Sequence, residues 1–114
     1  YQRSNQEGPK QSEVTLFDCS DGPALKAVLS KALSILAVVD KKREIYFIEN
    51  VKFHLDTVEG LGTFVEIEAI DTDGTLGKDK LHEQCSHYLQ LFKITETDLI
   101  AESYSDMVMK MDRV

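Results

Sequence analysis

The chain has 114 residues, 42% of them hydrophobic and 29% charged, with a formal net charge of −7. That length suits one domain with one modest core, and that balance excludes a disordered chain. The acidic charge argues against a nucleic acid polymer or an anionic membrane surface as partner, and the longest apolar run, ALSILAVV at 32–39, is too short to span a bilayer.

In chain order, YQRS and EVTLFDC (13–19) read as strands flanking the loop around Gly8-Pro9, which predicts a hairpin with a long connection. Cys19 at its end and the distant Cys85 predict two reduced, buried thiols and a cytoplasmic protein. Asp21-Gly22-Pro23 then offers a cap and a proline for a first helical turn, ahead of Leu25, Val28, Leu29, Ala32 and Leu33 at helical spacing.

From Ile35 the pattern turns β-rich: ILAVVDKKREIYFIE, a turn at Glu49-Asn50, VKFHLDTVE, the glycines of GLG at 60–62, then TFVEIEAI. This predicts a three-stranded antiparallel meander. Val51, Phe53 and Leu55 alternate with Lys52, His54 and Asp56, and Val65 and Ile67 alternate with Phe64, Glu66 and Glu68, so one face is apolar and the other charged. DTDGT reads as a strand-to-helix connection rather than a calcium loop, because the third acid and the distal Glu of such a loop are missing. A helix with Leu81, Cys85, Tyr88, Leu89 and Phe92 on one stripe follows, then a short one near Thr97-Asp98, both expected on the apolar side of the sheet.

The basic and acidic residues are unevenly spread. Residues 1–65 carry eight Lys/Arg against nine Asp/Glu, whereas residues 66–106 carry three against ten. Lys41 and Arg43 are two apart on one predicted strand, and Glu66 and Glu68 two apart on another, so each pair projects to one side. Should the charged faces coincide, hard carboxylates for Mg²⁺ or Mn²⁺ and cations for phosphate oxygens would line one surface. The same alternation also fits a solvated sheet face with no ligand. His54 on that side is a proton carrier or a hydrogen-bonded surface histidine. His82 and His87 lie five apart and point away from each other on a helix, which disfavours a zinc site with Cys85.

The stretch KKREIYFIENVKFHLDTVEGLGTFVEIEA, 41–69, resembles the CYTH superfamily, the group of class IV adenylyl cyclases and thiamine triphosphatases, and is most similar to the cyclase-like branch. The resemblance extends upstream into YQRSNQEGPKQS and downstream into LQLFKI and ESYSDMV. It implies an α+β fold in which an antiparallel sheet forms part of a triphosphate-tunnel β-barrel with flanking helices. On matching positions it implies phosphate contacts from Lys41 and Arg43, with Arg3 and Lys10 as further substrate-binding residues. It also implies metal binding by the ExE acids Glu66 and Glu68, and an LD-motif acid, Asp56, near metal or the reacting group. Lys41 and Asp56 would carry catalysis.

The resemblance implies a metal-dependent enzyme converting ATP to cyclic AMP and pyrophosphate, or a triphosphatase acting on an organic or inorganic triphosphate. The family's N-terminal ExExK strand has no counterpart here, so the expectation is a single CYTH-like domain over residues 1–114, truncated at the N-terminus. That departure sets a silent nucleotide- or polyphosphate-binding module beside the enzyme readings. It also leaves strand edges open for pairing with a second copy as a homodimer.

Overall fold

The computed structural model describes residues 2–112. Its centre is an antiparallel meander, β3 (Lys41–Ile48), β4 (Val51–Val58) and β5 (Gly62–Ala69), with β4 in the middle. Upstream lie a two-residue ladder, β1 (Gln2–Arg3) with β2 (Ser12–Glu13), and helix α1 (Gly22–Leu33). Downstream lie α2 (Lys78–Leu91), a single 3-10 turn at Glu96–Asp98, and α3 (Tyr104–Met111).

The turns fix the register. Ile48 pairs with Val51 across Glu49-Asn50, with Glu49 in the left-handed region at φ 53°. Asn50 locks this turn to α2 by exchanging amide hydrogen bonds of 2.9 Å with Gln84, and its Nδ2 also donates to the Ile70 carbonyl. At the other end Val58 pairs with Gly62, and Gly60 turns the chain at φ 79°. A Cβ there would sit 3.4 Å from Met111 Cε, an ordinary contact, so it is the positive φ and not the approach of α3 that calls for glycine.

Helix starts follow their capping chemistry. The Asp21 side chain accepts from the Ala24 amide, with Pro23 in the first turn of α1. Ser103 and Asp106 form a reciprocal capping box that starts α3 at Tyr104. Asp71 accepts from the amides of Leu76 and Gly77, so the DTDGT segment is a hydrogen-bonded strand-to-helix connection, as expected.

The two sheet faces are covered diagonally. Directly opposed residues share a face, so Val51, Phe53, Leu55, Val65 and Ile67 lie on one side. Tyr88 of α2 and Phe92 just past the end of that helix cover only the upper end of this side, with rings 4.9 and 5.8 Å from Phe53, while Leu55 and Val65 remain exposed. On the opposite, charged side α3 covers the lower end, where the Phe64 and Tyr104 rings meet at 5.1 Å, tilted by 51°, and Asp56 and Val58 are buried. The expectation of a helix on the apolar side therefore holds for α2, whereas the short helix expected near Thr97-Asp98 is only the 3-10 turn Glu96–Asp98. Helix α3, which the sequence reading did not include, starts at Tyr104 and packs on the charged side, its first residue bonded to a buried carboxylate.

Several other expectations need correction. The described residues form a three-stranded and a two-stranded sheet, with no closed barrel. Of EVTLFDC only Glu13 pairs, as the second residue of β2; Leu16 and Phe17 are exposed, and Cys19 is exposed rather than buried. Residues 35–40 are not strand: Asp40 meets the β4 side only through its carbonyl, which accepts from the Glu59 amide at 2.8 Å, residues 35–39 enter no ladder, and Ile35, Leu36 and Val38 stay in solvent. The hydrophobic core of the described residues is Val51, Phe53 and Val58. Total exposed area is 9095 Å², against roughly 6,300 Å² for a compact monomer of this mass, so the chain is more open than one modest core would make it. No helix of the described residues is long and apolar enough to cross a membrane.

Candidate functional site

The meander register brings the charged residues of three strands onto one face. Arg43 opposes Asp56, His54 opposes Glu66, and Lys52 opposes Glu68. Lys41, opposite Val58, begins the same face. Period-two alternation alone puts each pair on one side; the two hairpin turns put all three strands in phase.

Arg43 is the hub. Its Nε and Nη2 each donate to one oxygen of Asp56 at 2.7 Å, and Nη2 also donates to Glu66 Oε1 at 2.7 Å. The Asp56 side chain is fully buried and also accepts from the Tyr104 hydroxyl at 2.8 Å. The Arg43 fork, aided by that hydroxyl, outweighs burial and holds the Asp56 carboxyl well below the usual carboxylate range. The same pairing raises the Arg43 guanidinium, against some loss of hydration. Burial and the adjacent carboxylate raise the Tyr104 phenol, so it is a proton donor at neutral pH. Lys41 Nζ lies 5.2 Å from the centre of the Tyr104 ring.

Toward the upper end the pairs loosen. His54 Nδ1 is 3.8 Å from Glu66 Oε1, and Lys52 Nζ is 3.3 Å from Glu68 Oε2. Burial, then the Arg43 charge, lowers the His54 imidazole, so it is neutral at pH 7. Arg3 lies on β1 and Lys10 in the connection between β1 and β2, outside the meander. Arg3 Nη1 donates to the Ala101 carbonyl at 3.4 Å, and Lys10 donates to the Gln6 carbonyl at 2.8 Å. Partial burial, then the neighbouring Arg3, lowers Lys10. Among the described residues no hydrogen bond or ion pair joins Arg3 or Lys10 to the hub.

Of the expected metal ligands, Asp56 accepts three hydrogen bonds inside the protein and presents no open oxygen to solvent. Glu66 and Glu68 differ: their side chains are 49% and 40% exposed, and only one oxygen of each is in an ion pair. Among the described residues no three His, Cys, Asp or Glu side chains converge as a metal-holding group, and His82, Cys85 and His87 are no exception. Glu66 and Glu68 are thus the carboxylates of this face that keep an oxygen outside the ion pairs, and two such oxygens are fewer than the ligands a divalent cation needs from protein alone.

Tyr104 was the participant that strand alternation could not find, since it comes from α3. The available signal was Ser103-x-x-Asp106, which starts a helix at that tyrosine.

The fold is thus an α+β one whose antiparallel sheet presents cations and carboxylates on one face. The CYTH domain model matches residues 2–104, and the chain belongs to that family. A protein of Methanocaldococcus jannaschii named "Putative adenylate cyclase" is 36% identical over 69 residues, which is 60% of this chain and 39% of that relative. The matched part is thus well under two thirds of the relative's length. No solved structure matches the chain.

Proposed function

We propose that the charged face of β3, β4 and β5 is the triphosphate site of a metal-dependent triphosphate-processing enzyme, with ATP conversion to cyclic AMP and pyrophosphate as the leading reaction. One observation carries this reading: Lys41, Arg43, Glu66 and Glu68 lie on one face of three adjacent strands, around a buried Arg43–Asp56 fork. Membership of the CYTH family and the printed name of the archaeal relative support the choice of triphosphate.

In this reading Lys41 and the unshared Nη1 end of Arg43 take phosphate oxygens and stabilise charge on departing pyrophosphate. Glu66 and Glu68 hold a divalent cation, which when bound polarises phosphate oxygens and acidifies an attacking hydroxyl. Asp56 keeps the guanidinium in place. Arg3 and Lys10 supply further positive charge from β1 and the β1–β2 connection when the triphosphate extends that way. Most of the rate enhancement is then positioning and charge stabilisation.

A silent polyphosphate-binding module is the second reading, favoured by the lack of a third open carboxylate beside Glu66 and Glu68 among the described residues. Incubation with ATP and Mg²⁺ or Mn²⁺, followed by chromatography, separates the two. Cyclic AMP with pyrophosphate supports the cyclase, orthophosphate supports a triphosphatase, and unchanged ATP with saturable binding supports the module.

A further inference from the structure

The hub has a feature that the proposed chemistry does not use. Asp56 is buried on the charged face, yet its position near the edge of that face would leave it open to water without α3. Tyr104 closes it: the phenol donates to Oδ2, and the ring packs at a tilt against Phe64, the residue directly opposite Asp56 on β5. The same ring lies beneath Lys41 Nζ. One side chain therefore touches the anchor of one phosphate-facing cation and the charge of the other.

Arg43 needs such an anchor. Its Nη2 is shared between buried Asp56 and exposed Glu66, and a guanidinium held only by Glu66 would swing on a long, mobile carboxylate. The side-on fork to Asp56 fixes the guanidinium plane and leaves Nη1 as the end without a hydrogen-bond partner among the described residues. Asp56 in turn is a good anchor only while desolvated and saturated, and the Tyr104 hydroxyl supplies its third hydrogen bond. The capping box of Ser103 and Asp106 holds Tyr104 at the first turn of α3, and Met111 rests against Gly60 at the other end.

We infer that Tyr104 is a positioning residue of the triphosphate site, acting through Asp56 to set the guanidinium of Arg43 and directly on Lys41. The inference rests on the triphosphate reading above for its consequence, but the brace itself is a property of the unliganded protein. Its test is the exchange rate of the Arg43 Nε–H with water, read by ¹⁵N NMR, together with calorimetric titration of inorganic tripolyphosphate without divalent metal.

In the wild type the Arg43 Nε–H exchanges slowly; in Tyr104→Phe, which keeps the ring on Phe64, it exchanges at least about tenfold faster and tripolyphosphate binds about tenfold more weakly, the worth of one hydrogen bond to a charged group. In an Arg43→Ala background Tyr104→Phe costs at most the share that acts through Lys41, so the two losses are less than multiplicative. Fast exchange of the Arg43 Nε–H in the wild type overturns the brace whatever happens to the variant. So does unchanged exchange in folded Tyr104→Phe, or a fully multiplicative loss of binding. A wild type that binds no tripolyphosphate removes the triphosphate reading instead, and slow, Tyr104-dependent exchange would still support the brace.

Discussion

Arg43 and Asp56 face each other directly across the β3–β4 ladder, and their side chains close a two-point fork with both contacts at 2.7 Å. The carboxylate is fully buried, while the guanidinium retains 26% exposure. A pair so placed is weak evidence for net stability, because desolvation offsets much of the attraction, but it is strong evidence for a fixed geometry. Everything proposed for this face depends on that fixity.

Removing one partner should be far worse than removing both. Asp56→Ala leaves a partly buried guanidinium tied only to Glu66, and a loss of about 2–4 kcal/mol is expected in urea unfolding. Arg43→Met with Asp56→Leu together should recover at least half of it, because no charge is then left uncompensated.

Acid should undo the same pair. Arg43 and Tyr104 hold the Asp56 carboxyl low in the folded chain, so the unfolded chain takes up the proton first as pH falls. The contribution is complete above the unfolded pKa of about 4 and is lost as pH falls below it toward the depressed folded value. The urea midpoint of the wild type should fall steeply below pH 4, and Asp56→Asn should remove much of that slope.

His54 acts in a different window with the same sign. Burial and Arg43 lower its imidazole in the folded state, and Glu66 offsets this only in part. The unfolded chain therefore protonates first near pH 6.5, and stability declines as pH drops through that value toward 5. His54→Gln should flatten the thermal midpoint between pH 7 and 5 without altering the acid limb below pH 4.

On the apolar side, Phe53 is 5% exposed and meets both Tyr88 and Phe92 edge-on. With only three buried apolar residues among those described, little else can compensate. Phe53→Ala is expected to lose about 3–5 kcal/mol and to release α2, read as lost helical signal before global unfolding.

Much of this was legible in the sequence. Alternation and turn chemistry give the three strands and the pairing of Lys41 with Arg43 and of Glu66 with Glu68 on one side of each strand. Whether those sides coincide was open until the register of the two hairpins put Lys41, Arg43, Asp56, Glu66 and Glu68 on one face. What alternation could not give is which part of each face is covered. Leu55 reads as core yet is 45% exposed, because α2 stops above it, and Asp56 reads as wet yet is buried, because α3 crosses to the charged side. The segment 35–39 has strand composition but enters no ladder, and β propensity counts for little without one. Asp56 was expected near metal on resemblance; its environment depends on Tyr104, 48 residues away along the chain.

Glu66 separates phosphate binding from metal use. It competes with any anion for Arg43 Nη2, and it is also one of the two open carboxylates. Glu66→Gln should therefore bind tripolyphosphate as well as or better than the wild type without metal, and should lose the increment that Mg²⁺ or Mn²⁺ adds. Calorimetry with and without the cation checks both halves.

The most direct measurement is calorimetric titration of inorganic tripolyphosphate with Mg²⁺ into the wild type, Lys41→Ala and Arg43→Ala. If the charged face is the triphosphate site, the wild type binds saturably and each variant is weaker by about 1–3 kcal/mol, the cost of a lost charge-assisted contact. Absence of saturable binding in the wild type, or equal affinity in all three, would contradict it.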